Sequence, residues 1–140
     1  MTSLPSPAEI RAAAARIDGF VDRTALTRAA FLSSIVGGDV WLKRECEQRT
    51  GSFKIRGATN VLAQLTEQER AAGVVASSAG NHGLGIAAAS RTLGIPATIF
   101  VPTSAPRIKR EKIVALGASV HASSRSYDEA ESNEIGRAHV

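Results

Sequence analysis

Residues 74–122 read VVASSAGNHGLGIAAASRTLGIPATIFVPTSAPRIKREKIVALGASVHA, and this stretch decides the fold. Val74-Val75-Ala76 is a short apolar run, the form of a strand buried on both faces. Gly80-Asn81-His82-Gly83 follows as a turn. An alanine-rich helix is then expected over 84–93, stopped by Gly94. A second strand is expected over 97–101, ended by Pro102, and a second helix over 108–116, stopped by Gly117. Residues 118–122 make a third strand. Strands that alternate with helices across short joins imply right-handed crossovers and a parallel sheet, so the class is α/β.

Toward the N-terminus the signals are local. Thr66-Glu67-Gln68-Glu69 is a capping box opening a short helix that Gly73 closes. Phe53, Ile55, Ala58, Val61, Leu62 and Leu65 recur at helical spacing, with Ser52 as the expected N-cap. Val40-Trp41-Leu42 reads as a strand. Ser6-Pro7-Ala8-Glu9 combines a cap, a first-position proline and a returning glutamate, so a helix should run over 7–17 and end at Gly19. Trp41 and Phe100 sit inside apolar runs and are expected in the core, and Cys46 reads as a buried thiol. At the other end, Ser126 would cap a helix with acids in its first turn. Residues 135–140, IGRAHV, are what the nucleotide run ATCGGAAGAGCACACGTC encodes, a run common in sequencing-library adapters, so this tail is expected to be non-native.

Composition bounds what such a chain can be. With 140 residues, 44% of them hydrophobic, it holds one compact domain's worth of sequence and needs no disulfide or structural metal to build a core. The net charge of +4 raises nucleic acid as a partner, but the basic residues are scattered. Only Arg107, Lys109, Arg110 and Lys112 cluster, over more than one helix face and around Glu111, which reads as a solvated surface. No nucleic-acid partner is expected. Cys46 has no pairing partner and no Cys/His set has zinc spacing, so a reducing, cytoplasmic setting and no metal are expected. No run of about 18 apolar residues exists, so no membrane span is expected.

Two segments carry chemistry. In Thr50-Gly51-Ser52-Phe53-Lys54-Ile55-Arg56-Gly57-Ala58 the lysine falls in the first turn of a helix, where the dipole disfavours a cation. An amine held there, if also desolvated, should titrate below its ordinary value of about 10.4, as a nucleophile or base requires. An exposed surface lysine beside a capping serine would look the same. In Ser77-Ser78-Ala79-Gly80-Asn81-His82-Gly83 the glycines permit close backbone approach, and the N–H groups of a helix start favour a carboxylate or phosphate. Ligands of open parallel sheets bind beyond the carboxyl ends of strands, where this segment lies. An ordinary strand-to-helix turn capped by Asn81 and His82 is the alternative.

Taken together, G-S-F-K-x-R-G-A followed by S-A-G-N-H-G resembles the fold-type II, tryptophan-synthase-β-like pyridoxal-phosphate enzymes, in particular the threonine/serine dehydratase and serine racemase branch, over about residues 24–132. The resemblance implies pyridoxal 5'-phosphate held covalently by Lys54, with Phe53 near the pyridine ring and Asn81 on the ring hydroxyl oxygen. It also implies a substrate carboxylate gripped by Ser78, Ala79, Gly80, Asn81 and His82. The implied reaction is deaminating dehydration of a β-hydroxy amino acid, threonine or serine, to a 2-oxo acid and ammonia, with Lys54 as the base, in a homo-oligomer. The implied architecture places 1–65 in a large domain and 66–134 in a small α/β domain, both incomplete.

Departures qualify the resemblance. Serine racemases carry a second serine where this chain has Ala79, as the dehydratases do, so elimination is expected over racemisation. Ala25 stands where the family often has proline. The family's glycine-rich phosphate loop and its pyridine-nitrogen partner do not occur before Val140, which implies an N-terminal fragment. Two rival readings remain. Gly83-Leu84-Gly85-Ile86-Ala87-Ala88 fits the G-x-G-x-x-A fingerprint of a nicotinamide-binding oxidoreductase, but an acid is then needed about 20 residues on, and none occurs between Glu69 and Glu111. An NADP-type cofactor could use Arg107 instead. A non-enzymatic binding module would need no lysine at the mouth of the sheet. With the phosphate loop missing, the chain alone should show no stable absorbance band on incubation with pyridoxal phosphate; a band removed by Lys54→Ala overturns that expectation.

Overall fold

The computed structural model describes residues 4–124 and the short strand at 138–139. Its elements are helix α1 (Pro7–Arg16), strand β1 (Leu26–Arg28), helix α2 (Ala30–Val36), strand β2 (Trp41–Lys43), a 3-10 turn (Glu45–Glu47), helices α3 (Lys54–Leu62) and α4 (Glu67–Ala72), strand β3 (Val74–Ser77), helix α5 (Asn81–Leu93), strand β4 (Ala97–Pro102), helix α6 (Arg107–Ala115), and strands β5 (Ser119–Ser124) and β6 (Ala138–His139). The main sheet has the order β5-β4-β3-β6 and every pairing in it is parallel. Val74 pairs with Ala97, Ser77 with Phe100, and Phe100 with His121. The register against β5 shifts between Phe100 and Pro102, where proline has no N–H to give the ladder.

The core lies between this sheet and its helices. Val74, Ala76, Ile99 and Val101 pack with Leu62 of α3, Ile86 of α5 and Ile113 of α6. Small residues fill most of the buried face of α5, glycine at 83 and 85, alanine at 87, 88 and 89 and Ser90, so its backbone lies close to its neighbours. Ends of helices form where the sequence marks them. Ser6 and Glu9 close a capping box on α1, and Thr66 and Glu69 close one on α4. The bonds to Ser6 and Thr66 hold both glutamates below the usual carboxylate range. No helix among the described residues is long and apolar enough to cross a membrane.

Several expectations are corrected. A second sheet, β1 paired antiparallel with β2, stands apart from the parallel one. Its strands have three residues each and α2 has no side-chain cap, so neither β1 nor α2 leaves a readable signature. β2 starts at Trp41 rather than Val40. Trp41 is 54% exposed and Cys46 is exposed, so neither belongs to the core. Phe100 is half-buried, stacked on His121 at 5.3 Å between ring centroids. α3 buries Ile55, Ala58, Thr59 and Leu62, while Phe53 and Val61 face outward. The basic helix α6 is solvated along most of its length, with Arg107 on Glu111 at 2.6 Å. The expected helix opening at Ser126 lies outside the described residues. Of the tail 135–140, the backbone of Ala138–His139 lies beside Val74 and Val75.

Leu62 is fully buried and Val61 is 42% exposed, so the orientation of α3 can be read from stability. Leu62→Ala should cost about 2–5 kcal/mol in urea unfolding, and Val61→Ala less than about 1 kcal/mol.

Candidate active site

The loop after β3 is built by β4 and closed by a serine. Ser78 N–H donates to the carbonyl of Phe100 at 3.0 Å, which continues the ladder one residue past the strand. Ser78 is buried, and its Oγ accepts from Gly80 N–H at 3.2 Å, leaving its own hydroxyl proton available as a donor. Helix α5 starts at once, with Gly80 as N-cap and Asn81 as first residue, three residues earlier than its alanine pattern suggests. Asn81, His82 and Gly83 are therefore the first helical turn, whose N–H groups have no acceptor within the helix. A Cβ on Gly83 would lie 2.3 Å from the Ser78 carbonyl oxygen, so glycine lets the loop fold back on the helix. Asn81 is exposed and His82 half-buried.

Lys54 opens α3. Its N-cap is Phe53, in a helical conformation and without a capping side chain; Ser52 Oγ reaches Lys54 N–H only at 3.4 Å. Ser52 is thus buried beside the turn and is not the cap residue. The Lys54 side chain is exposed, with Nζ 5.5 Å from the ring centroid of Phe53, itself 59% exposed. The desolvation that would make this amine unusual is not supplied by the described residues.

Gly85 joins the two segments. A Cβ there would lie 3.1 Å from both the Lys54 carbonyl carbon and the Ile55 nitrogen, so the α5 backbone rests on the peptide that carries the lysine. The helix that presents the 78–82 loop, one turn from its start, touches the helix that presents the amine at its very beginning. Both glycines of the apparent dinucleotide fingerprint are accounted for by these close approaches inside the protein, and Arg107 is engaged with Glu111.

Arg56 is the component that spacing alone does not reveal. Its Nε and Nη2 bond both oxygens of Glu45, at 2.9 and 2.7 Å, and Nη2 also reaches the Asp22 carbonyl at 3.1 Å. Thr24 Oγ1 donates to Glu45 Oε1 at 2.7 Å. The Arg56 hydrogen bonds hold the Glu45 carboxyl below its ordinary range, and Glu45 in turn raises Arg56. The two glutamates flanking Cys46 were the available signal, because a half-buried arginine needs an acid to pair with.

A primary amine beside an exposed aromatic face, an exposed asparagine and a helix N-terminus together suit an aldehyde-bearing aromatic cofactor and an acidic amino acid end. Among the described residues Ser77 Oγ, at the carboxyl end of β3, is buried without a hydrogen-bond partner, which adds polar capacity at the same sheet edge. A cavity of about 650 Å³ borders the lysine segment at Thr50, Gly51 and Ile55 and extends to Leu84, Arg91 and Leu116, without Lys54, Ser78 or Asn81 among its lining residues.

Residues 17–138 match the family described as pyridoxal-phosphate dependent enzyme. The chain belongs to this family. It is 49% identical over 122 residues to the L-threonine ammonia-lyase of Thermotoga maritima, covering 87% of this chain and 30% of that protein. Over 134 residues it is 45% identical to an L-threo-3-hydroxyaspartate ammonia-lyase of a Pseudomonas species, covering 96% of this chain and 41% of the relative. The solved structure of maize serine racemase superposes with a TM-score of 0.87 at 36% identity, over 94% of this chain and 42% of that one. The fold is therefore that of the fold-type II enzymes, and the chain spans well under half the length of these relatives.

Because Glu45 titrates below its ordinary value when folded, its bond to Arg56 contributes stability above the unfolded carboxyl's range near 4.5, lost as pH falls through the lower folded value. Urea midpoints of the wild type should therefore fall more steeply below pH 4.5 than those of Glu45→Gln, while at neutral pH the variant is the less stable of the two.

Proposed function

We propose that this chain supplies the cofactor lysine and the carboxylate-binding loop of a pyridoxal-phosphate-dependent deaminating dehydratase that converts a β-hydroxy amino acid, threonine or serine, to a 2-oxo acid and ammonia. The observation that carries this reading is the seat of α5 on the Lys54 peptide at Gly85, which ties the amine to the loop. The division into a large-domain part at 1–65 and a small-domain part at 66–134 belongs to the same proposal.

Each residue has a task set by its chemistry. Lys54 Nζ holds the cofactor and is the base that takes the substrate's α-proton. Phe53 offers an apolar face for the pyridine ring, and the Asn81 amide a donor for its hydroxyl oxygen. Ser78 donates its hydroxyl proton to the substrate carboxylate while its Oγ keeps the bond from Gly80 N–H, and the N–H groups of Ala79 and Asn81 at the start of α5 add to that grip. When bound, pyridoxal phosphate supplies an aldehyde for an amine and a conjugated ring that takes up the electron pair left at the α-carbon. Holding the carboxylate at the α5 end fixes which substituent of the α-carbon faces Lys54.

Elimination is favoured over racemisation by Ala79. Inverting the α-carbon needs an acid on the face opposite Lys54, and the methyl of Ala79, 7% exposed between Ser78 and Gly80, cannot donate a proton. Exchanging the matching segment of the Thermotoga maritima enzyme for this chain should leave an enzyme that forms 2-oxo acid from threonine or serine faster than it interconverts serine enantiomers. Lys54→Ala in that chimera should lower turnover by more than about a hundredfold. Racemisation outrunning 2-oxo acid release, or turnover kept without Lys54, overturns the proposal.

A further inference from the structure

The start of α3 lacks the usual means of holding a helix end. Phe53 gives no capping bond, Ser52 reaches the Lys54 N–H only at 3.4 Å, and the Lys54 side chain is exposed. On one side the peptide is steadied by the close approach of Gly85. The other side is met by the Arg56 guanidinium, which ties the first turn of α3 to three points at once: both oxygens of Glu45, the Asp22 carbonyl, and, at 3.5 Å, Thr24 Oγ1. Positions two apart on a helix point about 200° apart, so Arg56 cannot touch what the Lys54 amine touches. Its influence can only pass through the backbone.

We propose that Arg56, clamped by Glu45 and Thr24, is the positioning residue that sets where Lys54 presents its amine to an aldehyde cofactor. This rests on the proposed role of Lys54 and adds the element that aims it. A bidentate guanidinium–carboxylate pair fixes orientation as well as distance, which a lysine or a single hydrogen bond would not. Glu45 also places a carboxylate near the positive end of α3, offsetting the second cation of that turn.

Borohydride trapping with pyridoxal phosphate on the full chain tests the idea without turnover, because reduction makes each modified lysine permanent and peptide mass spectrometry counts it. In the wild type, labelling of Lys54 should exceed that of Lys109 and Lys112, the exposed lysines of α6, by at least fivefold at low reagent. Arg56→Ala with unchanged far-UV circular dichroism should bring the three to within about twofold of one another. Glu45→Gln keeps the shape of the clamp and decides the matter if Arg56→Ala does not fold: its Lys54 preference should fall by about half or more. Wild-type preference in a folded Glu45→Gln or Arg56→Ala protein overturns the positioning role and leaves the proposed function standing. Equal labelling of all three lysines in the wild type likewise overturns the positioning role, and the assignment of Lys54 itself is decided separately by turnover of the Lys54→Ala chimera.

Discussion

The structure depends on one close approach. At Gly85 the backbone of α5 lies against the peptide of Lys54 and Ile55, at distances that a Cβ would reduce to 3.1 Å. Every other feature of the candidate site is arranged around that contact. The parallel sheet brings the 78–82 loop out beyond its carboxyl edge, α5 begins where the loop ends, and α3 begins where α5 can meet it. Burial of Leu62 and Ile55 on one side of α3 and of Ile86 on α5 makes the pairing of these two helices a core event. Placement of the amine is thereby a consequence of folding, although the amine itself lies in the open.

Much of the fold was legible because its elements carry complete local signatures. The segments β3, α5, β4, α6 and β5 have apolar runs of strand length, helical runs ended by Gly94 and Gly117, and proline at 102, and each lies within a few residues of its expected bounds. Both capping boxes form as read, since reciprocal bonds between Ser6 and Glu9, and between Thr66 and Glu69, need no tertiary partner. What escaped was structure made only by partners distant in sequence. β1, unlike the strand read at residues 40–42, is a three-residue strand that exists because Leu26 meets Lys43 and Arg28 meets Trp41. Trp41 and Cys46 were misplaced because an apolar or soft side chain in a short run says nothing about which face is covered.

The candidate site divides along the same line. Lys54, Ser78 and Asn81 stand out as candidates because their neighbours in sequence are unusual: a cation at a helix start, and glycines around a strand-to-helix turn. Gly83 and Gly85 were noticed for a different chemistry, since a pattern of glycines records only that backbones come close and not what they approach. The structure answers that they approach Ser78 and Lys54. Arg56 received no role at first because its partners, Asp22, Thr24 and Glu45, are 34, 32 and 11 residues away.

An arginine in the first turn of α3 would by itself oppose the helix dipole, and Lys54 in the same turn doubles the conflict. Two cations at one helix start are tolerable only if one is neutralised and the other has a reason to stay. Glu45 neutralises Arg56 through a pair of bonds less than a third exposed, where the attraction is screened less than at a surface. Among the described residues Lys54 is left as the unpaired charge of that turn, exposed next to the ring of Phe53. A protein that merely needed a stable helix there would do better with a hydroxyl cap and an acid, as Ser6 and Glu9 give α1 and Thr66 and Glu69 give α4 in this same chain. Keeping the amine at that position sacrifices local stability, and such a sacrifice is intelligible where the amine must react.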